Sequence, residues 1–442
     1  MKRILITAPA SGSGKTTVTC ALLSAFASRG MDVASFKCGP DYIDPMFHEK
    51  TAGINAYNLD PFFLDRAALR KQLALRAGRD ISVIEGAMGY YDGIAMTVDA
   101  SCYTVARATE TPAILVFEAR KSGNSIAAVM AGFKAYKPDS GIEGVIFNGI
   151  TAVRYPDMER LAREAGLIPL GYLPFDGTAV VESRHLGLVT PDEVGDIRQK
   201  LQKLGRTAEE TIDIDGVIKL AGSAPPIEKP ARISVAEPPR VRVAVARDRA
   251  LFFLYKETIA GFERFGGEIV YFSPLDDDRL PPGINALYLP GGYPELYAGE
   301  LSKRAAMLED IRNAVASGLP TIAEGGGFML LHDTLDGYPM AGAVAGAVQK
   351  TDRLQRFGYM TMTAGEDNLL CPAGGELRAH ECHYWASDVP GGAFSAKKAG
   401  RGEEYNCALA TETLYAGFPH LHIDDKTAKR FIEKAEAGIS AK

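Results

Sequence analysis

A glycine-rich segment near the start of the chain constrains its fold more than any other feature. Residues 3–7 are a short apolar run rich in Ile and Leu, which is typical of a buried strand. The segment SGSGKTT, residues 11–17, follows, and residues 18–27 are apolar at helical spacing. A strand, a glycine-rich loop and a helix in this order predict a phosphate-binding loop, although Pro9 stands where its usual first glycine would be.

The residue types of this loop suit a nucleoside triphosphate and its magnesium ion. Glycines let backbone N–H groups approach phosphate oxygens, and the helix N-terminus adds positive potential. Lys15 is expected to be exposed and to reach the β- and γ-phosphates, while the Thr16 hydroxyl would ligate Mg²⁺. ATP and Mg²⁺ are therefore the expected cofactors. The predicted nucleotide-binding residues are Gly12, Gly14, Lys15, Thr16, Thr17 and Asn148.

Carboxylates follow two of the predicted strands in the first half. Residues 38–48 contain Gly and Pro and are predicted to form a loop that carries Asp41 and Asp44. Glu85 ends the predicted strand 80–84, and an acidic residue at the carboxyl end of a parallel strand points into the ligand crevice. Oxygen ligands suit Mg²⁺. The predicted metal ligands are Thr16, Asp44 and Glu85.

Two other polar side chains of this half attract attention. Asn148 ends the predicted strand 144–148 and is well placed to read an adenine edge. Asp92 lies in a glycine-bounded loop, where a solvated turn residue and a functional carboxylate are equally good interpretations. Strands alternate with helices throughout, which predicts an α/β fold with a parallel sheet covered on both faces.

The chain is too long, at 442 residues, for a single core. Five prolines in the nineteen residues 222–240 indicate a linker. We therefore predict an ATP-binding domain over residues 1–221 and a second α/β domain over residues 241–442.

The second half contains a strand-to-helix turn of an unusual composition. Strand 320–323 is followed by Glu-Gly-Gly-Gly at 324–327 and then by a helix, which is the shape of a nucleophile elbow. Adjacent glycines in PGGYPE, residues 290–295, expose N–H groups to a developing oxyanion. A further helix is predicted over residues 301–316. One member of the pair His420 and His422 is expected to be a base for acyl transfer. A metal role for the HxxH and HxH pairs is the weaker alternative.

Charge and composition exclude several functions. The formal net charge is -6 and no block of Lys or Arg stands out, so neither nucleic acid nor an anionic membrane is expected as a partner. No apolar run is long enough to span a membrane, and the strand at the N-terminus leaves no room for a signal peptide. The six cysteines show no metal-binding spacing and are expected to be reduced thiols. These features together predict a cytoplasmic protein.

Seven segments, taken in order, resemble those of a known family. They are FKCGPDYIDPMFH (36–48), VIEGAMGYYDG (83–93), ESRHLGL (182–188), FSPLDD (272–277), LPGGYPELYA (289–298), HECHYW (380–385) and HLHI (420–423). The chain resembles the cobyrinate a,c-diamide synthase family of glutamine-dependent amidotransferases over nearly its whole length. The sister family acting on nickel-sirohydrochlorin is similar enough to compete. The resemblance implies a P-loop domain like dethiobiotin synthetase and a C-terminal class I glutamine amidotransferase domain.

The resemblance also implies roles for individual residues. The positions that match the ATP, metal and substrate site are Asp41, Asp44, Glu85 and Asp92. In the second domain His420 matches the family's histidine, and N–H groups near Gly292 and Gly326 would form the oxyanion hole. The family's elbow is similar to Ala-Glu-Cys-Gly-Gly, whereas this chain has Gly325 at the nucleophile position. Smaller departures are Cys382 and Ile423.

The implied reaction is the ATP-dependent amidation of the a and c carboxylates of cobyrinic acid or a related tetrapyrrole. Acyl phosphates would be the intermediates, with ammonia from glutamine in the family and free ammonia in this chain. The expected partners are a tetrapyrrole and glutamine or ammonia, and a homodimer is the assembly considered. Two other classes remain: a partition-type nucleotide switch, whose extra lysine is absent at Ala10, and a non-catalytic regulatory relative.

Overall fold

The computed structural model describes residues 1–175, 183–184, 187–188, 190–191, 195–228 and 238–440. The chain divides into two compact units, residues 1–232 and 233–442. The predicted linker is described only at residues 222–228 and 238–240, and residues 182, 185 and 186 of the segment 182–188 lie outside the described residues.

The N-terminal unit is built on one seven-stranded sheet with the order β3-β2-β4-β1-β5-β6-β7. Each pair of neighbouring strands in it is parallel, which confirms the predicted sheet type. Its elements are β1 (Arg3–Thr7), α1 (Lys15–Ser28), β2 (Val33–Cys38), α2 (Ile43–Ala52), β3 (Ala56–Leu59), α3 (Arg66–Arg76), β4 (Ile81–Glu85), a 3₁₀ turn (Ile94–Met96), α4 (Cys102–Thr109), β5 (Ala113–Glu118), α5 (Ile126–Ala135), β6 (Ile142–Asn148), α6 (Tyr155–Glu164), β7 (Ile168–Leu173), the two-residue strands β8 (Ser183–Arg184) and β9 (Gly187–Leu188), α7 (Ile197–Thr211) and α8 (Ile214–Ala221).

The prediction of a loop over residues 38–48 is wrong from residue 43 onwards. Helix α2 begins at Ile43, so Asp44 lies in its first turn. Pro45 does not prevent this helix, because the N–H groups of a first turn have no intrahelical partner. The Asp41 carboxylate accepts hydrogen bonds from the N–H groups of Ile43 and Asp44, at 2.9 and 3.0 Å, and so stabilises the helix start.

The C-terminal unit has a six-stranded sheet with the order β12-β10-β13-β15-β25-β24, in which only the β24–β25 pair is antiparallel. Its elements are β10 (Val241–Ala246), β11 (Leu251–Phe253), α9 (Lys256–Arg264), β12 (Gly267–Phe272), β13 (Ala286–Leu289), β14 (Gly291–Gly292), a 3₁₀ turn (Pro294–Tyr297), α10 (Ala298–Leu301), α11 (Ala305–Ala316), β15 (Thr321–Glu324), α12 (Gly326–Leu331), β16 (His332–Leu335), β17 (Tyr338–Pro339), β18 (Val344–Lys350), β19 (Arg356–Ala364), β20 (Glu376–His383), β21 (Trp385–Ser387), β22 (Phe394–Lys398), β23 (Glu404–Cys407), β24 (Leu409–Ala410), β25 (Leu414–Gly417), β26 (His420–Leu421) and α13 (Asp425–Ser440).

Two features of this unit differ from the sequence prediction. The helix expected over 301–316 is interrupted, because α10 ends at Leu301 and α11 begins at Ala305. Five strands from β19 onwards form a separate antiparallel sheet, β23-β22-β19-β20-β26, which sequence patterning did not reveal. Its last strand carries His420, so this sheet helps to position the predicted base. None of the helices in the described part of the chain has the length and apolarity needed to cross a membrane.

Candidate functional site

The phosphate-binding loop connects β1 to α1 and has the backbone that its glycines allow. Gly14 precedes the first residue of α1 and has a φ of 91°, a left-handed conformation that L side chains rarely adopt. A Cβ at this position would lie 2.1 Å from the Asn148 amide nitrogen, so any other residue would have to displace Asn148 and would strain the backbone. That amide donates to the Ser13 carbonyl at 3.2 Å. Asn148 therefore braces the loop, and its reading of an adenine edge stays a prediction.

Lys15 is not exposed, contrary to expectation. Its side chain is only 7% exposed, and its Nζ atom donates to the carbonyl oxygens of Ala10 and Met88 at 3.2 and 2.6 Å. The Lys15 ammonium group is thus bound by two main-chain oxygens, whereas phosphate oxygens were its predicted partners. The other loop residues lie nearby: Gly12 is exposed, while Thr16 and Thr17 are half-buried in the first turn of α1.

Glu85, at the end of β4, connects three side chains. Its Oε1 atom accepts from the Thr16 hydroxyl at 2.7 Å and from Lys37 Nζ at 2.9 Å, and its Oε2 atom lies 2.6 Å from His48 Nε2. Burial by itself would raise the pKa of Glu85, but the Lys37 ammonium and the bond from His48 outweigh it and hold that pKa below its ordinary value. Glu85 is therefore a buried carboxylate at pH 7.

Lys37 is a site residue that sequence reasoning missed. It is 2% exposed at the end of β2, directly opposite Glu85 in the parallel register of β2 and β4. Its ammonium group also pairs with Asp44 and lies 3.7 Å from Asp41. Burial would lower the pKa of Lys37, but the surrounding carboxylates, with Asp44 the largest contributor, raise it above its ordinary value. The sequence feature that could have predicted it is the position of a lysine near the end of one strand when a neighbouring strand ends in a glutamate.

The residues present fit a magnesium ion. Thr16 and Glu85 bring a hydroxyl and a carboxylate oxygen to within 2.7 Å of each other beside the phosphate-binding loop. Mg²⁺ commonly takes one or two protein oxygens and completes its shell with phosphate oxygens and water. The Asp44 carboxylate is buried beside the Lys37 ammonium and so belongs to the same cluster of side chains as Glu85. Asp92 differs, because it is exposed and accepts from the Gly89 N–H at 2.8 Å.

The C-terminal unit contains the predicted strand-to-helix turn. β15 ends at Glu324, α12 begins at Gly326, and Gly325 between them has φ 47° and ψ -107°. This positive φ is one that L side chains rarely adopt, so the turn has the strained backbone of a nucleophile elbow. Glycine holds it without the steric cost that a Cβ would bring.

His420 is the histidine that faces this turn. A Cβ built on Gly325 would lie 2.5 Å from His420 Cε1 and 2.7 Å from its Nε2. The Nδ1 atom of His420 lies 3.9 Å from Glu324 Oε2. Burial, assisted by His383, lowers the pKa of His420 to about 3, so the ring is neutral at pH 7. The three atoms nearest to that Cβ position all belong to His420, and none belongs to the alternative candidate His422.

The two glycines proposed for the oxyanion hole lie together. A Cβ on Gly326 would be 3.0 Å from the Gly292 backbone nitrogen, so that N–H group borders the first turn of α12. Within the described ranges no three His, Cys, Asp or Glu side chains form a cluster able to hold a metal ion. The HxxH and HxH pairs therefore gain no support as metal ligands.

Comparison with known proteins gives a family for each half of the chain. Residues 4–214 match the family model of the CobQ/CobB/MinD/ParA nucleotide binding domain. Residues 242–428 match that of the CobB/CobQ-like glutamine amidotransferase domain. The fold class expected from the sequence is thereby confirmed. The two matches define an ATP-dependent carbon–nitrogen ligase with a glutamine amidotransferase domain.

Relatives along nearly the whole chain narrow this class. The cobyrinate a,c-diamide synthase of Caldanaerobacter subterraneus subsp. tengcongensis is 35% identical over 97% of both chains. That of Gloeobacter violaceus is 37% identical over 98% of this chain and 97% of its own. That of Dehalococcoides mccartyi strain CBDB1 is 36% identical over 97% of both. The chain belongs to the cobyrinate a,c-diamide synthase family.

Proposed function

We propose that the chain catalyses the ATP-dependent amidation of the a and c carboxylates of cobyrinic acid or a closely related tetrapyrrole. The observation that carries the proposal is the contact between Thr16 and Glu85 beside the phosphate-binding loop. It occurs in a chain that is 35% identical to a cobyrinate a,c-diamide synthase. Each carboxylate would take the γ-phosphoryl group of ATP to give an acyl phosphate and ADP. Ammonia would then displace phosphate and leave the amide.

The chain's own residues would supply binding, orientation and positive charge. Lys15 would exchange the Met88 and Ala10 carbonyls for phosphate oxygens. Thr16 and Glu85, with Asp44 in the same group, would hold Mg²⁺, which when bound neutralises the charge of the phosphates. Lys37 lies among Asp44, Asp41 and Glu85, where its ammonium group offsets their charge. Asp92 stays a candidate for the substrate site.

The proposed nitrogen donor is free ammonia. Hydrolysis of glutamine through a thioester needs a thiolate, a base and an oxyanion hole. His420, Gly292 and Gly326 supply candidates for the last two, but Gly325 has no side chain. Losing the nucleophile of an acyl-transfer triad costs on the order of 10⁶-fold in kcat. The C-terminal unit would then keep an amidotransferase fold without glutaminase chemistry.

The test is product formation with defined substrates. The protein is incubated with Mg-ATP, cobyrinic acid and either ammonium chloride or glutamine, and products are followed by mass spectrometry beside ADP release. We expect the monoamide and then the diamide with ammonium, each with one ADP, and almost none with glutamine. A parallel incubation replaces cobyrinic acid with nickel-sirohydrochlorin, and amidation of that compound alone would assign the sister activity. If neither tetrapyrrole is amidated while Mg-ATP still binds, the non-catalytic regulatory relative is the remaining interpretation.

A further inference from the structure

A buried chain of hydrogen bonds runs from β2 through α2 to β4. Ser35 Oγ lies 2.8 Å from His48 Nδ1, and His48 Nε2 lies 2.6 Å from Glu85 Oε2. All three residues are 0% exposed. The chain thus joins the centre of one strand to the acidic end of its neighbour through the side chain of a helix.

The direction of these hydrogen bonds follows from the chemistry of the end groups. An ionised carboxylate only accepts hydrogen bonds, so Nε2 of His48 must carry a proton. The other ring nitrogen, Nδ1, lies 2.8 Å from the Ser35 hydroxyl oxygen. His48 therefore donates to Glu85 from one side of its ring, and Ser35 holds the other side.

This bond leaves only one oxygen of Glu85 facing the nucleotide loop. Oε2 is taken by His48, whereas Oε1 lies beside the Thr16 hydroxyl and Lys37. Without the donor at His48, the carboxylate could rotate and its Oε2 atom would be a buried acceptor with no partner. Hydrogen bonds to a metal-binding carboxylate typically fix its orientation.

We propose that His48 is a positioning residue that orients Glu85 for Mg²⁺, with Ser35 holding the imidazole ring in place. This inference rests on the proposed function, because it assigns Glu85 to the metal of an ATP-dependent reaction. It goes further by assigning a role to a fully buried histidine behind the metal-binding carboxylate. A histidine that only filled the core would affect stability without affecting the magnesium requirement.

Two substitutions at His48 separate these roles. His48→Met removes the N–H donor at similar volume, and His48→Gln keeps an N–H donor. Binding of a fluorescent ATP analogue is titrated in EDTA and over a range of Mg²⁺ concentrations. For His48→Met we expect the Mg²⁺ concentration at half-maximal effect to rise about 10–100-fold, with binding in EDTA unchanged. His48→Gln should stay close to the parent protein.

A matched control exists in the other unit. His332 is also 0% exposed and bonds Phe328 O and Ser387 Oγ at 2.9 and 2.7 Å. His332→Met should leave the magnesium titration unchanged, even where it lowers the melting temperature. Steady-state ATP turnover is a second readout, in which His48→Met should raise the Mg²⁺ requirement while kcat at saturating Mg²⁺ is largely retained.

The possible outcomes distinguish the inference from the proposed function. A parental magnesium titration for His48→Met would overturn the positioning role. If that variant does not fold, Ser35→Ala decides, because it removes the hydroxyl that contacts the other ring nitrogen of His48. A raised Mg²⁺ requirement supports the role, and an unchanged one overturns it. If nucleotide binding by the parent protein is independent of Mg²⁺, the proposed ATP-dependent function fails first.

Discussion

The imidazole of His420 lies where the side chain of residue 325 would begin. The Cβ of an alanine or cysteine at Gly325 would be 2.5 Å from the ring's Cε1 atom. The ring is 8% exposed, and a Cβ on Gly291 would lie even closer to it, at 2.1 Å. The predicted base and the predicted nucleophile position are therefore adjacent, but the ring occupies the space that a nucleophile would need.

The first prediction concerns restoration of the nucleophile. Gly325→Cys should raise glutamate release from glutamine by orders of magnitude over a parent rate about 10⁶-fold below that of an intact triad. The activity should remain partial, because the His420 ring must turn aside to admit the new side chain. Glutamate release is measured in a coupled assay. Robust release by the unchanged chain would contradict this interpretation of the C-terminal unit.

Gly325→Ser and the double variant Gly325→Cys with His420→Asn are the controls for that experiment. Serine brings the same steric demand as cysteine without a thiolate, so it should leave glutamine hydrolysis at the parent level. The double variant has the thiol without its base and should lose most of the gain.

The second prediction concerns the phosphate-binding lysine. Lys15→Met should abolish ATP turnover while the chain stays folded, because the side chain loses only two bonds to main-chain carbonyls and keeps its apolar volume. ADP release and far-ultraviolet circular dichroism check the two parts. Turnover within a factor of ten of the parent would show that Lys15 does not contact the phosphates.

The third prediction concerns Lys37 and its carboxylates. Lys37→Met leaves Asp44 and Glu85 buried without their cation, a change that typically costs about 3–5 kcal/mol of unfolding free energy. Adding Asp44→Asn should recover part of that loss, since one buried charge is then removed. Denaturant unfolding of the single and double variants tests this. An additive or larger loss in the double variant would argue against direct coupling.

The fourth prediction concerns pH. Burial raises the pKa of Glu324 to about 8, so the folded chain keeps a proton that the unfolded chain releases near pH 4.5. This contribution to stability is complete below pH 4.5 and is lost as the pH rises through 8. Glu324→Gln should remove that part of the decline, and each kcal/mol recovered at pH 8 corresponds to about 2–4 °C in melting temperature.

Calorimetric melting of the parent and variant from pH 5 to 9 measures that difference. The exposed Glu366→Gln serves as the control and should keep the parental pH dependence. A parallel decline in the parent and in Glu324→Gln would show that Glu324 ionises in the folded chain as it does in water.

Local patterns predicted much of the N-terminal site. The loop with Lys15 and Thr16 lies between an apolar strand and a helix, so its context is continuous in sequence. Lys37 and His48 escaped notice because their partner, Glu85, is brought to them by strand pairing and by α2. The predicted loop also overlaps the start of α2. Proline is compatible with the first turn of a helix, so its presence does not exclude one there.

The C-terminal unit was harder to predict for a different physical reason. Its elbow is a local turn, and the three consecutive glycines between a strand and a helix predicted it. The antiparallel sheet that carries His420 depends on pairings between distant strands, such as β19 with β22, whose register no local pattern specifies. Burial, assisted by His383, lowers the pKa of His420, and this burial depends on those distant pairings as well.

The backbone at Gly325 keeps the angles of an elbow with no reactive side chain to display. Since glycine adopts φ 47° freely, the turn needs no help from a nucleophile to hold its shape. The architecture of the C-terminal unit and its capacity for covalent chemistry are thus separable at a single codon. Under the proposed use of free ammonia, the nitrogen source would change at this one position while the scaffold around it stays the same.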